Sequence, residues 1–491
     1  MPQRPGPPAG ARPGRPPAGR TPEGYAGRRV LVAGARVAGA AAARALLRLG
    51  AEVVVVDRAA SAGTEALAAA GARVVLADEP PAGLLDGVAD VVVSPGFAPH
   101  HPLAVAALAA GLDVYSEPEL AWRLRGPRAP AWLAVTGTNG KTTTVTMLAA
   151  ILRAAGLRTD ALGNIGVALV DADAAGYDVL AVELSSFQLH WSSTLAPQVG
   201  ALLNLADDHL EWHGDFAAYA YAKTAVWRGA GAGGVAVGNV DDPRVARLLA
   251  GVPGRTVGVT LGEPEPGQLG VVDGVLVDRA PGVGAGAGVA LAPAAVVRPA
   301  GAHNVANALH AAALARAYGV PAGAVRAGLE GYVPEPHRNA YVATVAGVRY
   351  VDDSKATNPH AALASLTAYP RVVWVAGGQL KGVAVDDLVA AVADRLVGAV
   401  LLGVDRAQLA AALARHAPSL PLVEVSSTDD GAMGEVVRAA AALAHPGDTV
   451  LLAPAAASLD MFASYARRGE AFAGAVRALP QAREALAKGS S

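Results

Sequence analysis

The chain has 491 residues, more than one hydrophobic core normally supports, and a net charge of only −2. This charge argues against a nucleic-acid-binding protein, and the absence of cysteine excludes disulfides and thiolate metal sites. No stretch is apolar enough for a membrane span or a signal peptide, which favours a cytoplasmic protein without membrane contact.

The overall pattern predicts three α/β domains after a tail. Residues 1–26 are rich in Pro, Gly and Arg, which predicts disorder because little apolar surface can be buried there. Apolar runs then alternate with alanine-rich helical patterns, which is typical of parallel sheets covered by helices. Proline-rich breaks near residues 123–130 and 334–336 place the domains at 27–127, 128–334 and 335–488.

The first domain opens with a predicted βαβ unit. It runs from Arg29 to Asp57, with a turn at Gly34–Gly39 and an acidic residue at the tip of the second strand. Val91–Val93 predicts a later strand, which is followed by Ser94-Pro95-Gly96. Ligands of open α/β sheets bind at such strand ends, so these loops form a predicted ligand site.

The central domain opens with a glycine-rich loop, Gly137-Thr138-Asn139-Gly140-Lys141-Thr142-Thr143. It lies between a predicted strand, Trp132–Val135, and a predicted helix, Val145–Ala155. Backbone N–H groups of such a turn point at an anion, the lysine adds a charge for phosphates, and the next hydroxyl can bind magnesium. Val135 stands where the common phosphate loop has its first glycine, so this loop is a shorter form. The sequence predicts a nucleoside triphosphate site.

Residues that suit a metal follow at predicted strand ends and on a helix. Glu183 ends an apolar strand, His209 follows two aspartates, and Lys223 lies fourteen residues further on. A carboxylate and an imidazole beside a triphosphate suit magnesium and its waters. Two other readings stay open, because Glu183 could cap the following turn and His209 could be a surface residue.

The end of the central domain contains a predicted hairpin and a long helix. Asp273-Gly274 between apolar residues predicts the hairpin, and Pro281–Gly288 predicts a loop without chemistry. A helix is predicted over Ala302–Tyr318, where His303-Asn304 and Asn307 could either read an adenine edge or cap the helix.

The last domain repeats the α/β alternation. Polar residues at Asp352–Asn358 directly follow a predicted strand, which favours ligand binding over a plain helix cap. Ser458 is predicted to begin a helix, where its hydroxyl and the helix dipole would suit a carboxylate or simply cap the helix. Buried strands are predicted at Val372–Ala376, Ala399–Leu402 and Val450–Leu452.

Together these motifs resemble the Mur ligases, the ATP-dependent amide-forming enzymes of peptidoglycan precursor synthesis. The resemblance covers roughly residues 28–486 and includes the short phosphate loop and Pro336-His337-Arg338. In the last domain, Lys381 follows Gly377-Gly378, and Ser458-Leu459-Asp460 precedes Arg467-Arg468-Gly469. That pattern resembles the members of the family that add D-glutamate.

The resemblance implies a Rossmann-like UDP-binding domain, a central P-loop ATPase-type α/β domain and a C-terminal Rossmann-like domain. It implies that UDP-N-acetylmuramoyl-L-alanine and D-glutamate are the substrates, joined through an acyl phosphate. It also implies ATP, two Mg²⁺ ions, a CO₂-derived carbamate on Lys223 and a monomeric enzyme.

The resemblance further assigns residues to each part of the site. It makes Lys141, His209 and Lys223 catalytic, and Thr142, Glu183, His209 and Lys223 metal ligands. The implied ATP contacts are Gly137, Thr138, Asn139, Gly140, Lys141, Thr142, Thr143, Asn307, Arg338 and Asp353. The implied UDP-substrate contacts are Val37, Ala38, Asp57, Arg58, Ser94, Pro95, Gly96 and Asn164. The implied D-glutamate contacts are Lys355, Thr357, Lys381, Ser458 and Tyr465.

Three other interpretations fit fewer of these motifs. A folate polyglutamate ligase, or another ligase of the Mur type, shares the ATP domain, but a folate enzyme leaves the UDP-type first domain and the Ser458 region unexplained. A nicotinamide dehydrogenase would explain Gly34 to Asp57 and leave the phosphate loop without a role. A GTP switch would need an Asn-Lys-x-Asp guanine reader, which the chain lacks.

Overall fold

A computed structural model of the chain describes residues 22–172, 176–280, 288–427 and 430–480. Most of the expected tail, residues 1–21, lies outside these ranges, as do residues 281–287 of the predicted glycine-alanine loop and residues 481–488 of the last domain. The tail prediction is wrong for its last residues. Pro22–Tyr25 form a 3-10 helix, and the buried Tyr25 hydroxyl lies 3.1 Å from that of Tyr115.

The first sheet is fully parallel, with the strand order β3-β2-β1-β4-β5, which is the order of a Rossmann-type sheet. Its strands are β1 (Arg29–Ala33), β2 (Glu52–Asp57), β3 (Arg73–Leu76), β4 (Asp90–Val93) and β5 (Asp113–Ser116). Its helices are α1 (Val37–Arg48), α2 (Ala62–Ala69), α3 (Pro102–Ala109) and α4 (Glu117–Arg123). The central strands are valine-rich and buried, as expected of a sheet covered by helices on both faces.

The second sheet has the strand order β14-β13-β12-β11-β10-β9-β6-β8-β7. Its strands are β6 (Ala131–Thr136), β7 (Ala161–Gly163), β8 (Val179–Glu183), β9 (Val199–Leu202), β10 (Val235–Asn239), β11 (Arg255–Val259), β12 (Gln268–Val272), β13 (Val275–Asp278) and β14 (Val289–Pro293). Its helices are α5 (Lys141–Ala154), α6 (Ser186–His190), α7 (Leu210–His213), α8 (Phe216–Thr224), α9 (Pro243–Leu249), α10 (Ala302–Tyr318) and α11 (Ala322–Glu330). The predicted hairpin is confirmed, because β12 and β13 are antiparallel and Asp273 and Gly274 both have positive φ.

The third sheet has the order β15-β16-β20-β17-β18-β19 and is parallel except for the edge strand β15. Its strands are β15 (Ala340–Val345), β16 (Val348–Asp352), β17 (Val372–Gly377), β18 (Leu396–Leu402), β19 (Leu422–Glu424) and β20 (Thr449–Leu452). Its helices are α12 (Pro359–Leu366), α13 (Asp386–Val392), α14 (Arg406–His416), α15 (Met433–Leu443) and α16 (Tyr465–Arg477).

The helix predicted to begin at Ser458 is wrong. The chain forms turns and bends from Ser458 to Ser464, and α16 begins at Tyr465, where the Ser464 hydroxyl accepts a hydrogen bond from the Arg467 N–H at 3.2 Å. Ser458 therefore has no helix N-terminus behind its hydroxyl.

The three sheets form two compact units. One contains the chain up to Ala294 together with Ala306–Gly331, and the other contains Ala295–Val305 and the chain from Tyr332 onward. The first predicted domain and most of the second therefore belong to one unit, and only Ala295–Val305 and residues 332–334 of the second fall in the other. Within the first unit, Trp191 and Trp212 share a core with residues of the first sheet such as Leu31. Among the helices of the described ranges, none combines the length and the apolar character needed to cross a bilayer.

Candidate active site

The phosphate loop lies between β6 and α5, in the order that the sequence predicts. Gly137 and Gly140 both have positive φ, and a Cβ on Gly140 would lie 2.3 Å from Asn307 Oδ1. Glycine is therefore favoured at residue 140 because of its left-handed conformation, and a Cβ would also displace the Asn307 side chain. Lys141 Nζ donates to the carbonyls of Gly137 and Thr138, at 2.9 Å each, so the ammonium lies across the loop.

Glu183 joins the phosphate loop to the end of β8. Its Oε2 accepts a hydrogen bond from the Thr142 hydroxyl at 2.7 Å, and its Oε1 accepts one from Asn164 Nδ2 at 2.8 Å. The side chain does not cap the next helix, because Ser185 caps α6 in a capping box with Gln188. A carboxylate and a hydroxyl held side by side are oxygen ligands that magnesium accepts.

Lys223 is 2% exposed and lies directly beside the phosphate loop. Its Nζ donates to the Gly137 carbonyl at 2.9 Å and lies 4.8 Å from the centre of the Tyr219 ring. Burial, and then the charge of Lys141, hold the pKa of Lys223 well below its usual range. This shift favours the neutral amine, which is the form that reacts as a nucleophile.

His209 lies in a tight turn before α7, with φ of 54°, and its Nε2 is 3.5 Å from Asp208 Oδ2. Burial lowers its pKa, which favours the neutral imidazole that binds metals. Across the described ranges, no group of three or more His, Asp or Glu side chains could hold a metal ion. A metal here would therefore need donors of other kinds, such as hydroxyl or phosphate oxygens.

At the first sheet, the structure brings together the turn after β1, the end of β2 and the end of β4. Asp57 accepts hydrogen bonds at 2.7 Å from the N–H groups of Ala35 and Arg58. Ser94 Oγ donates to the Gly34 carbonyl at 3.4 Å. Both oxygens of Asp57 are therefore engaged by backbone N–H groups of the adjoining loops. Val37, another predicted contact of the UDP-substrate, is 76% exposed.

A small cleft lies beside these loops, between the first and second sheets, and its interior is too narrow for a water molecule. Its lining residues are Ala38, Val93, Pro95, Ser116, Glu117, Pro118, Phe187, Gln188 and Trp191. Only Ala38 and Pro95 belong to the predicted UDP-substrate set. Arg58 and Gly96 are exposed on the surface, and Asn164 lies at Glu183 instead.

Glu117 is a residue of this cleft that the sequence analysis missed. Burial raises its pKa to about 7, although one oxygen accepts a hydrogen bond from the Val170 N–H at 2.7 Å. The signal was present in the sequence, because Glu117 directly follows β5 just as Asp57 ends β2.

The predicted ATP contacts outside the loop differ in their surroundings. Asn307 accepts a hydrogen bond from the Thr144 hydroxyl at 3.3 Å and packs on Gly140. Asp353, in the other unit, accepts hydrogen bonds from the Asn339 N–H at 3.1 Å and from the Ser365 hydroxyl. Burial raises the pKa of Asp353 to about 6. Both oxygens of Asp353 are thus engaged within their own unit. Arg338, which directly precedes Asn339, is partly exposed.

Segments that carry predicted D-glutamate residues meet at Arg468, which the sequence analysis named only as part of a pattern. This side chain is 1% exposed and donates to Ser354 Oγ and the Ser354 carbonyl, at 2.9 Å each. It also donates to the carbonyls of Ala456 at 3.1 Å and Gly377 at 3.3 Å. One guanidinium therefore joins the segments that carry Lys355, Ser458 and Lys381.

Two further contacts order this region. Lys355 Nζ lies 3.9 Å from the centre of the Tyr465 ring, and the Thr357 N–H donates to the Lys355 carbonyl at 2.8 Å. Gln379 and Ala457 exchange backbone hydrogen bonds at 2.9 and 3.0 Å, which places the loop of Lys381 against that of Ser458.

Comparison with known proteins gives consistent relatives. The Mur ligase middle domain matches residues 135–315, and the Mur ligase glutamate ligase domain matches residues 337–456. The UDP-N-acetylmuramoylalanine--D-glutamate ligase of Thermobifida fusca is 55% identical over 468 residues, covering 92% of this chain and 99% of that protein. The protein of the same name from Streptomyces avermitilis is 54% identical over 469 residues, covering 93% of this chain and 99% of that protein.

Solved structures with this fold are more distant in sequence. UDP-N-acetylmuramate-alanine ligase of Thermotoga maritima has a TM-score of 0.54 at 16% identity, covering 92% of this chain and 99% of that one. MurF ligase of the same organism, solved in complex with ADP, has a TM-score of 0.52 at 18% identity, covering 96% of this chain and 98% of that one. The predicted α/β fold is thus confirmed, and the chain belongs to the Mur ligase family.

Proposed function

We propose that this Mur ligase adds D-glutamate to UDP-N-acetylmuramoyl-L-alanine, using ATP, in peptidoglycan precursor synthesis. The substrate carboxylate attacks the γ-phosphate, giving an acyl phosphate and ADP. The D-glutamate amine then attacks the acyl carbon, loses a proton and displaces phosphate. The observation that carries the proposal is the sequence identity to two D-glutamate ligases, 55% and 54%, over more than nine-tenths of the chain.

The phosphate loop is the proposed ATP site. Its N–H groups and the Lys141 ammonium bind the β- and γ-phosphates, and Thr142 and Glu183 hold one Mg²⁺. His209 and Lys223 hold the second ion. When bound, the two ions neutralise charge on the phosphates and on the attacking carboxylate. Asn307, Arg338 and Asp353 remain proposed ATP contacts, although the two oxygens of Asp353 already have partners.

Lys223 is proposed to carry a carbamate. Its neutral amine adds to CO₂, forming an N–C bond and releasing one proton, which leaves a carboxylate at the end of the side chain. The modification replaces a potential cation by an anion beside Lys141 and the metal site. The support is the buried amine with its lowered pKa, whose hydrogen bond goes to a carbonyl and not to a carboxylate.

The other substrates are proposed to bind at two places. The UDP-substrate binds at the strand-end loops of the first sheet, beside the small cleft of Ala38, Pro95 and Glu117, and D-glutamate binds at the residues around Arg468. Lys381 supplies a charge and Ser458 supplies a hydroxyl. Because no helix begins at Ser458, no helix dipole contributes there. The enzyme is further proposed to act as a cytoplasmic monomer.

The test is an amino-acid specificity assay. Purified protein is incubated with ATP, Mg²⁺ and UDP-N-acetylmuramoyl-L-alanine, and with D-glutamate, L-glutamate, L-alanine or diaminopimelate in turn. Phosphate release and the mass of the product are measured. We expect ligation with D-glutamate and little with the others. Ligation of a different amino acid, or of glutamate to a folate in a parallel incubation that replaces the UDP-substrate by a folate, would overturn the substrate assignment and keep the ligase family.

A further inference from the structure

A buried histidine near the proposed metal site is not used by the mechanism above. His213 ends α7 and is 8% exposed, and its Nε2 lies 3.0 Å from the Ser186 hydroxyl, with which it shares a hydrogen bond. Its Nδ1 is buried and has no hydrogen-bond partner within the described residues. An apolar ring would fill the same space without desolvating that nitrogen, so packing alone does not account for a histidine here.

The hydrogen bond joins two segments that each carry a proposed metal ligand. Ser186 begins α6, three residues after Glu183 at the end of β8. His213 lies one helical turn after His209, and its N–H donates to the His209 carbonyl at 3.1 Å. The Ser186–His213 pair is therefore a side-chain link between the strand end of Glu183 and the turn of His209.

The turn at His209 needs such support. A non-glycine residue with φ of 54° occupies a sparsely populated conformation, which persists only where the surroundings fix it. Phe187, the residue after Ser186, supplies part of that support, since its ring centroid lies 4.7 Å from that of His209. The His213 ring stacks on the same Phe187 at 5.7 Å and 19°.

The His213 ring also reaches the other side of the site. Its centroid lies 5.4 Å from that of Tyr219, in an edge-to-face arrangement. The Tyr219 hydroxyl lies 2.8 Å from Thr138 Oγ1 in the phosphate loop, and the Tyr219 ring packs beneath Lys223 Nζ. His213 thus touches the supports of both His209 and Lys223.

We propose that His213 is a positioning residue, which fixes the His209 turn relative to Glu183 through its hydrogen bond to Ser186 and its packing on Phe187. In this role it acts through Ser186 and Phe187 and needs no direct contact with substrate or metal. The inference rests on the proposed function, in which Glu183 and His209 bind magnesium. Loss of the hydrogen bond would let the two ligands drift apart and weaken metal binding without changing the D-glutamate residues.

The test uses four variants. His213→Phe keeps a ring and removes the hydrogen bond, and Ser186→Ala removes the partner. His213→Gln keeps an amide nitrogen near the position of Nε2. The control is His190→Phe, since His190 lies in the same ring cluster, 6.0 Å from His213, and makes no side-chain hydrogen bond within the described residues.

Two quantities are measured. One is the Mg²⁺ concentration that gives half-maximal ligation, together with kcat and the KM for D-glutamate. The other is Mn²⁺ binding in the presence of a non-hydrolysable ATP analogue, followed by the free-ion EPR signal. We expect His213→Phe and Ser186→Ala each to weaken Mn²⁺ binding and raise the Mg²⁺ requirement about 10-fold, at an unchanged KM for D-glutamate. His213→Gln and His190→Phe should stay near the unmodified enzyme.

The combined variant, His213→Phe with Ser186→Ala, should be no worse than either change alone, because both remove the same hydrogen bond. Unchanged metal binding in Ser186→Ala would overturn the proposal, even if His213→Phe fails to fold. Glu183→Gln is measured in parallel to separate the two hypotheses. If Glu183→Gln also leaves metal binding unchanged, the proposed metal site fails; if it weakens binding while Ser186→Ala does not, only the positioning role fails.

Discussion

At the scale of single residues, the proposed carbamate on Lys223 depends on the burial of its amine and on the neighbouring charge of Lys141. If Lys223 carries a carbamate, Lys223→Ala should lower ligation about 100-fold, the scale found when a preorganised electrostatic group is removed. Acetate or formate in solution should restore part of the rate, because a free carboxylate can occupy the vacated space. Phosphate release is measured with and without the added acid.

Lys141→Ala is the matched control for this prediction. It removes a cation from the phosphate loop next to Lys223, since Lys141 Nζ and Lys223 Nζ both donate to the Gly137 carbonyl. It should lose activity and gain nothing from acetate, because no anion is missing. Equal rescue of both variants, or full activity in Lys223→Ala, would contradict the carbamate proposal.

Residue positions were predictable where a motif fixes them locally. The phosphate loop led to Thr142, and the structure places Glu183 against it at 2.7 Å. Asp57 and Asp353 were predicted as ligand contacts, and both have oxygens occupied by neighbouring N–H groups. Sequence shows that a carboxylate follows a strand, but it does not show which N–H groups the carboxylate will meet when the chain folds.

At the scale of elements, hydrogen bonds from α4 connect the first sheet to a segment of the second sheet's domain. Glu119 accepts hydrogen bonds from the N–H groups of Thr194 at 3.0 Å and Leu195 at 2.9 Å, and from Arg123 Nε at 2.9 Å. Burial alone would raise the pKa of Glu119, but the Thr194 hydroxyl and Arg123 outweigh it and hold the pKa below its usual range. A buried carboxylate with this many donors is costly to disturb.

Glu119→Gln should therefore lower the free energy of unfolding by about 3 kcal/mol at pH 7. The lowered pKa means that this stabilisation is present above about pH 4 and is lost as the pH falls and the carboxylate is protonated. Urea unfolding at pH 7 and pH 3.5 should show a difference between variant and parent that narrows at the lower pH. Glu65→Gln, at an exposed residue of α2, should change little at either pH.

Helix α16 orders the proposed D-glutamate site through Arg468. A lysine has three donors and no planar fork, so Arg468→Lys cannot reproduce four bonds to three segments. We expect the KM for D-glutamate to rise about 10-fold, with a smaller change in the KM for ATP. Arg467→Lys is the control, because the neighbouring Arg467 is exposed and pairs with Glu470. Equal effects of the two changes would remove Arg468 from this role.

Elements were predictable where periodicity and breakers agree, and less so at their ends. The first strand and the helix Ala302–Tyr318 match the structure to the residue, whereas the helix predicted over Val145–Ala155 begins earlier, at Lys141, and ends at Ala154. The helix predicted at Ser458 starts at Tyr465 because Ser464, and not Ser458, caps it. Both serines precede helix-compatible residues, so the local sequence did not distinguish them.

For the whole molecule, the sequence predicted three domains, and three sheets are present, but they form two compact units. The proline-rich break at residues 123–130 lies between the first and second sheets, but one hydrophobic cluster contains side chains from both sides of the break. Trp191 and Trp212 pack among side chains of the first sheet, and Glu119 bonds to the segment after α6. These contacts link residues more than 70 positions apart, and nothing in either local pattern indicates them.

The number of units predicts how the protein unfolds on heating. Because the first two sheets share a core, we expect two calorimetric transitions and not three. Glu119→Gln should lower the transition of the first unit by about 5 °C and leave the other in place. Phe472→Leu, in the buried core of the second unit, should lower the transition of that unit and leave the first in place. Three separable transitions, or one change that moves both, would show that the sheets unfold in a different grouping.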